Sequence, residues 1–597
     1  MLGEPGSREF GEDIKRLILR HALDNALRHG GKASLGPVIN KILGERPELR
    51  GRARDLAVIA KEIIDQVNSL SPEDQRRVAE ELLSGWERGE TREEAKELPP
   101  LPGAENGVVT RFAPNPDFVL HLGNARPALL SYIYAKEIYR GKMILRFEDT
   151  DPRIKTPLPE AYWAIKEDLR WLGIRWDEEY IQSMRMEIYY DTAKKLISVG
   201  GAYVDLCSRE EISRNRTSRK ACRHRTQSPE ENLELFDKML SGAFGEGEAA
   251  LRVKTDLEHP DPSVIDWIAM RIIDTSKHLH PLVGDKYIVW PTYNFAAGVD
   301  DHLMGVTHII RGREHAQNTT KQSYIYRHMG WDYPHVINVG RLKLEGFILS
   351  KSKIRSMIER HPGRFDGFSD PRFGTLAGLR SRGILRETIV ETIRTLGIKP
   401  SDATISWDNI ASLNRKKLDP QTRRVMFVPD PVRLYIERLP EDLVEVEIPY
   451  HPDNRDLGSR VIRIASNKEG FYVYISRSDL DLASKVGRFR LMELANLKIV
   501  DILRDSGSGE TIARARYYSR DVREARRLGL QIIQWVSGKP VRALLREPDG
   551  LRYRKYRGLI EESILRLGDE VYQLMRIGFA KISEMSGSRV ELLKIHS

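Results

Sequence analysis

Along the first 86 residues, apolar positions recur at helical spacing. In 13–30, DIKRLILRHALDNALRHG, Ile14, Leu17, Ile18, His21, Ala22 and Ala26 fall on one face, and Gly30-Gly31 supplies a stop. Residues 49–66 and the run after Ser71-Pro72-Glu73, an N-cap followed by proline and acid, carry the pattern on to about Trp86. Residues 1–86 are therefore expected to form a small helical domain. In 87–106 a charge run passes into three prolines and two glycines with little to bury, which reads as a linker.

From Gly107 short apolar strands alternate with helical segments. Val108–Phe112 is an expected strand, Ala125–Tyr139 a helix and Lys142–Phe147 a strand, one βαβ unit of a parallel sheet. Gly305–Ile310 is a further strand placed just before Arg311. Beyond Val428 the period falls to two, as in Val444–Pro449, Arg460–Ala465, Gly470–Ser476 and Arg488–Met492. The 170 residues of 428–597 suffice for an all-β module of two barrels.

Composition narrows the setting. The chain has 597 residues, about four times the ~150 of one domain, so several domains are expected. Lys and Arg total 96 against 86 Asp and Glu, a net charge of +10 that suits an anionic partner such as nucleic acid. Two cysteines, Cys207 and Cys222, argue against a disulfide framework and for a reducing, cytoplasmic location. No apolar run approaches the ~18 residues of a membrane span, so neither a membrane nor a secretory route is expected.

Three segments carry candidate chemistry. Residues 111–124, RFAPNPDFVLHLGN, lie between the first strand and its helix, where a parallel sheet offers helix N–H groups to phosphate. There Gly123 permits close backbone approach, and His121 can donate to a phosphate oxygen as charge builds. Glu148 to Asp151, EDTD, brings carboxylates to the same sheet edge, one of which could hold a substrate ammonium. Phe347 to Lys353, FILSKSK, offers a lysine able to neutralise a triphosphate. Each segment alone is a weak signal.

Taken together they resemble the class I aminoacyl-tRNA synthetases, with HLGN in the place of HIGH and ILSKS in the place of KMSKS, 230 residues apart. RFAPNP…LHLGNAR, GKMILRFEDTDPR and PTYNFAAGVDDHLMGVTHIIRGREH are closest to the glutamyl-tRNA synthetases, and the similarity covers most of 107–425. A helical front and β-barrel rear resemble the archaeal and eukaryotic branch. The resemblance implies a helical tRNA-interacting domain at 1–86 and a central α/β Rossmann-type catalytic domain at 107–425. It also implies an acceptor-end-binding insertion at about 205–290 and a C-terminal double barrel at 428–597 that binds the anticodon.

It further implies His121 and Lys351 as catalytic residues, and His121, Gly123, Asn124, Ser350 and Lys351 as the ATP site. Arg111, Ala113, Asn115, Glu148, Tyr293 and Arg311 would bind glutamate, with Glu148 on the α-ammonium and Arg311 on the side-chain carboxylate. A guanidinium suits that carboxylate because its planar fork binds both oxygens and keeps its proton. ATP with Mg²⁺, L-glutamate and tRNA(Glu) are the implied ligands. The branch leaves tRNA(Gln) as a second acceptor and a tRNA-dependent amidotransferase as a downstream partner. The rival readings are a glutaminyl enzyme of the same fold, disfavoured by Arg311, and a non-catalytic tRNA-binding paralogue, disfavoured by the retained His121, Glu148 and Lys351.

The chain departs from the family pattern at Asn124, at Ile348, at Asp117-Phe118-Val119 and at Ala297, where bacterial relatives carry an asparagine. Cys207 and Cys222-Arg-His224 suggest three metal ligands, but a fourth is not evident and no protein-bound zinc is expected. The basic stretch 209–226 falls in the implied insertion, where it could meet tRNA phosphates. In the rear module, Arg552, Tyr553, Arg554 and Tyr556, with Tyr517 as a further position, alternate cations with aromatics, as single-stranded nucleotides require.

Overall fold

A computed structural model of the protein describes residues 10–28, 31–71, 73–75, 78, 98–437, 439–440, 445–463, 471–504, 511–587 and 589–597. The chain forms two compact units, Met1–Lys96 and Glu97–Ser597.

In the first unit α1 (Glu12–Arg28), α2 (Leu35–Glu45) and α3 (Ala53–Ser69) enclose Ile18, Ala22, Ala26, Val38, Ile42, Leu56 and Ala60. α1 buries the stripe its spacing predicts. α3 begins later than the expected 49–66 because Pro47–Arg52 first form a 3₁₀ turn. The expected run from Ser71 to Trp86 lies largely outside the described residues, as do 87–97 of the expected linker.

The rest of that linker is tied down at Pro99 and Leu101. Leu101 is buried, its N–H donates to Tyr139 Oη at 2.9 Å, and Tyr134 Oη donates to the Pro99 carbonyl at 2.8 Å. The Pro99 carbonyl and the Leu101 N–H here meet tyrosine hydroxyls from the π-turn after α4 and the residue that closes it, a long-range match that local composition does not reveal.

β1 (Val109–Phe112), α4 (Leu122–Tyr132), β2 (Lys142–Phe147) and β3 (Glu178–Ile181) begin the parallel sheet. Ile133–Ile138 extend α4 as a π-turn. The chain then leaves for a four-stranded antiparallel sheet, β4 (Ala202–Asp205), β5 (Ala250–Val253), β6 (Ile268–Ile272) and β7 (Val289–Pro291), with its own core around Phe236, Leu251 and Trp290. α5 (Tyr293–Leu303) leads back to β8 (His308–Gly312), α6 (Ala316–Met329) and β9 (His335–Val339). α7 (Lys351–Arg360) follows.

The parallel sheet has the order β3-β2-β1-β8-β9. β1 and β8 are neighbours separated in sequence by the whole insertion, so their carboxyl ends flank the point where the strand order switches, the usual ligand crevice of such sheets. β8 starts three residues later than expected because Gly305, at φ +64°, closes α5 with its N–H on the His302 carbonyl.

The rear strands match expectation within one or two residues: Glu445–Pro449, Ser459–Arg463, Phe471–Ser476 and Arg488–Leu491. They belong to barrel-like β structure with two cores, one around Val432, Leu434, Phe489 and Trp535, the other around Phe427, Leu545, Tyr572 and Leu592. The first core lies on a six-stranded sheet and the second on a seven-stranded sheet. The last strand returns to the α/β body: Ile595 is in its core, and Arg382 Nε donates to the Ile595 carbonyl at 3.0 Å. No helix among the described residues is long and apolar enough to cross a membrane.

Candidate active site

The ends of β1, β2 and β8 open into a cleft of about 850 Å³. Arg111 on β1, Glu148 just past β2, Tyr293 at the start of α5 and Arg311 on β8 line one part of it, with Ala113 and Asn115 from the loop after β1. His121, Gly123, Asn124, Ser350 and Lys351 line another part. All the cleft residues expected from the sequence are therefore brought together.

The helix start at His121 uses one residue that departs from the family pattern, Asn124. His121 Nδ1 accepts from the Gly123 N–H at 3.0 Å, and Asn124 Oδ1 accepts from the His121 N–H at 3.1 Å, a reciprocal capping box. Because Nδ1 is an acceptor, the neutral ring carries its proton on Nε2. Burial, helped by the charge of Lys351, pushes the imidazole down to about 4. A Cβ at position 123 would meet His121 Cε1 at 2.8 Å, so the glycine is needed to seat the ring.

Beneath the cleft lies a buried ionic network that sequence reasoning missed. Asp301 Oδ1 accepts from Arg111 Nε at 3.1 Å and from Arg146 Nη1 at 2.7 Å, while Arg146 Nη2 donates to Glu148 Oε1 at 3.1 Å. Asp300 takes Arg185 Nε at 3.0 Å and Tyr189 Oη at 2.7 Å. Burial raises the Glu148 carboxyl, and Arg146 and Arg111 offset this without cancelling it. Burial also pushes Asp301 upward, but Arg111 and Arg146 outweigh it and hold the carboxyl below its usual range. The available signal was charge at apolar register, in LRFED on a buried strand and GVDDH on a buried helix.

The altered loop Asp117-Phe118-Val119 docks on α7. Phe118 and Val119 are buried with Ile354, Phe365 and Phe373, Ile348 packs against the same cluster, and the Phe118 and Phe368 rings meet edge to face at 4.9 Å. Lys351 Nζ lies 2.7 Å from Asp117 Oδ1, and Arg355 Nη2 donates to the Asp117 carbonyl. Ile348 is thus an apolar anchor for the segment. Ala297 is fully buried in α5.

The expected tRNA contacts fall on two sheets. Tyr517 is partly buried against the six-stranded core. Arg552, Tyr553, Arg554 and Tyr556 share one strand of the seven-stranded sheet, where Arg554 pairs with Asp549 at 2.8 Å and Tyr556 donates to Glu547 at 2.8 Å. The Tyr553 ring stacks under Arg372 at 4.4 Å.

In the insertion, the ligand atoms of Asp205, Cys207, Cys222 and His224 all lie within 4.8 Å of one another, and all four residues are buried. The expectation of no zinc rested on a missing fourth ligand, and Asp205, at the end of β4, supplies one. Two thiolates, an imidazole and a carboxylate are a donor set that can hold a tetrahedral metal ion.

Comparison with known proteins agrees with this geometry. The family description "tRNA synthetases class I (E and Q), catalytic domain" matches residues 107–420, and the "anti-codon binding domain" of the same class matches 422–518. The glutamate–tRNA ligase of Hyperthermus butylicus is 55% identical over 94% of this chain and 96% of its own. That of Aeropyrum pernix is 49% identical over 98% of this chain and 99% of its own. A solved glutamate tRNA ligase from Elizabethkingia meningosepticum superposes with a TM-score of 0.38 at 24% identity, over 52% of this chain and 69% of its own, too loosely to carry residue correspondences. On the catalytic-domain match and these near full-length relatives, the chain belongs to the class I tRNA synthetases for glutamate and glutamine.

Proposed function

We propose that the protein is a glutamate–tRNA ligase that activates L-glutamate with ATP and esterifies it to the 3′ end of tRNA(Glu). The observation that carries the reading is the convergence of Arg111, Glu148 and Arg311 with His121 and Lys351 on one cleft. ATP enters as its magnesium complex. An α-carboxylate oxygen of glutamate forms a bond to the α-phosphorus, and the bond to pyrophosphate breaks. A ribose hydroxyl of the terminal adenosine then attacks the acyl carbon, and AMP leaves.

Little covalent work falls to the protein in either step, so its contribution is orientation and charge stabilisation. Glu148, held by Arg146, faces the α-ammonium. Arg311 faces the side-chain carboxylate, with the Tyr293 hydroxyl beside it. His121 offers its Nε2–H to phosphate oxygens, and Lys351 takes the charge that builds on the departing pyrophosphate. Ser350 occupies the N-cap position of α7, so Lys351 is the first residue of that helix.

Residues 1–86 and 428–597 are assigned to tRNA binding, the insertion at about 205–290 to the acceptor end, and Arg552, Tyr553, Arg554, Tyr556 and Tyr517 to the anticodon side. tRNA(Gln) stays open as a second acceptor, whose product an amidotransferase would convert, and the location is assigned as the cytoplasm. The experiment is aminoacylation with labelled glutamate and glutamine on each tRNA. Glutamate charging of both tRNAs supports the whole reading, charging of tRNA(Glu) alone removes the second acceptor, and tRNA binding without charging removes the enzyme.

A further inference from the structure

Arg311 is buried, yet among the described residues no carboxylate lies within ion-pair distance of its guanidinium. Its hydrogen bonds all go to neutral oxygens: Thr319 Oγ1 at 2.7 Å, Gln322 Oε1 at 3.2 Å and Tyr293 Oη at 3.4 Å. Of the acids around the cleft, Glu148 is engaged by Arg146, and Asp301, engaged by Arg111 and Arg146, acts on Arg311 only from beyond ion-pair distance. A buried guanidinium without a counter-charge is costly unless a ligand supplies one.

Gln322 makes the point sharper. It is fully buried, and its Oε1 accepts from Arg311 and also from Tyr333 Oη at 2.7 Å. Its Nε2 is buried and has no hydrogen-bond partner. A carboxylate in this place would serve both accepted bonds at least as well and would leave no orphaned N–H. What the amide does that a carboxylate could not is carry no charge.

We infer that Gln322 and Thr319 are specificity-determining positioning residues: they fix the fork of Arg311 with neutral acceptors and so reserve its charge for the side-chain carboxylate of the amino-acid substrate. The inference rests on the reading that Arg311 binds that carboxylate. A substrate with an amide there would leave the guanidinium uncompensated, so this arrangement works against glutamine as well as for glutamate.

The test is steady-state aminoacylation, with tRNA(Glu) saturating, of Gln322→Glu, Gln322→Met, Thr319→Asp and Arg311→Gln. Gln322→Glu and Thr319→Asp each place a carboxylate on Arg311 from a different side, and Thr319 is the less buried, so a folding failure of one leaves the other. Both should raise KM for glutamate at least ~10-fold with kcat within ~3-fold, the pattern of lost ground-state binding, and narrow the preference over glutamine. Gln322→Met removes the acceptor without adding charge, so it loosens Arg311 and should raise KM for glutamate by clearly less than the acidic variants while rejection of glutamine persists. If the two acidic variants behave like Gln322→Met while Arg311→Gln raises KM strongly, charge reservation is wrong and the role of Arg311 stands. If Arg311→Gln leaves KM unchanged, the reading of Arg311 itself fails.

Discussion

Lys351 Nζ and Asp117 Oδ1 form a 2.7 Å ion pair that joins the loop after β1 to the start of α7. The pair is partly exposed, 37% for the lysine side chain and 22% for the aspartate, so its worth to folding is at most ~1 kcal/mol. Its consequence is positional, since it holds the ammonium beside His121 before any phosphate arrives. Lys351→Ala should lower the rate of adenylate formation by about 100-fold and leave tRNA affinity unchanged, as rapid quench and filter binding would measure. Asp117→Asn removes an acid that repels a triphosphate, so KM for ATP should fall a few-fold with stability within ~1 kcal/mol of the parent. An unchanged activation rate in Lys351→Ala would remove the lysine from the chemistry.

Arg146 is fully buried and links Glu148 to Asp301. Replacing it by alanine leaves two buried carboxylates short of their cation, a loss of about 3–5 kcal/mol by denaturant unfolding. A change below ~1 kcal/mol would mean that water or rearranged arginines already compensate the acids.

His121 sets a pH expectation. Its folded-state value is lowered to about 4 from 6.5, so the ring stays neutral through the physiological range. Between pH 6.5 and about 4 the unfolded chain binds this proton and the folded chain does not, so the contribution of this group to stability is lost as pH falls through that window. The acid limb of the aminoacylation profile should show no His121 ionisation near 6.5, and His121→Gln should flatten the stability loss in that window. A His121 ring titrating near 6.5 by NMR would contradict the geometry of the cap.

The Asp205, Cys207, Cys222 and His224 cluster should take up one Co²⁺ with sulfur-to-metal absorption bands, and Cys222→Ser should weaken both the bands and the uptake. Absence of any bands at saturating Co²⁺ would leave the four groups as a hydrogen-bonded buried cluster.

The candidate site was legible where chemistry is local to a short segment. Residues 111–124, Glu148 and FILSKSK each sit where a strand ends or a helix begins, and the parallel sheet brings those ends to one edge. What the sequence hid depends on partners far along the chain. Asp301 is 155 residues from Arg146, Gln322 meets Arg311 only when α6 packs against β8, and Asp205 joins Cys207, Cys222 and His224 only when β4 ends beside Cys222. The stretch 98–106 reads as a linker because the partners of Pro99 and Leu101, Tyr134 and Tyr139, lie more than thirty residues on. The departure at Asn124 is half of the helix cap, a role that shows only once His121 is seen to close the other half.

The most direct test of the account is the glutamate-over-glutamine preference in kcat/KM, measured by tRNA aminoacylation for the parent and for Arg311→Ala. The account predicts a parent that charges glutamate and rejects glutamine, and a variant that loses most of that preference through KM for glutamate. A parent that charges glutamine, or a variant that still discriminates as the parent does, would contradict it.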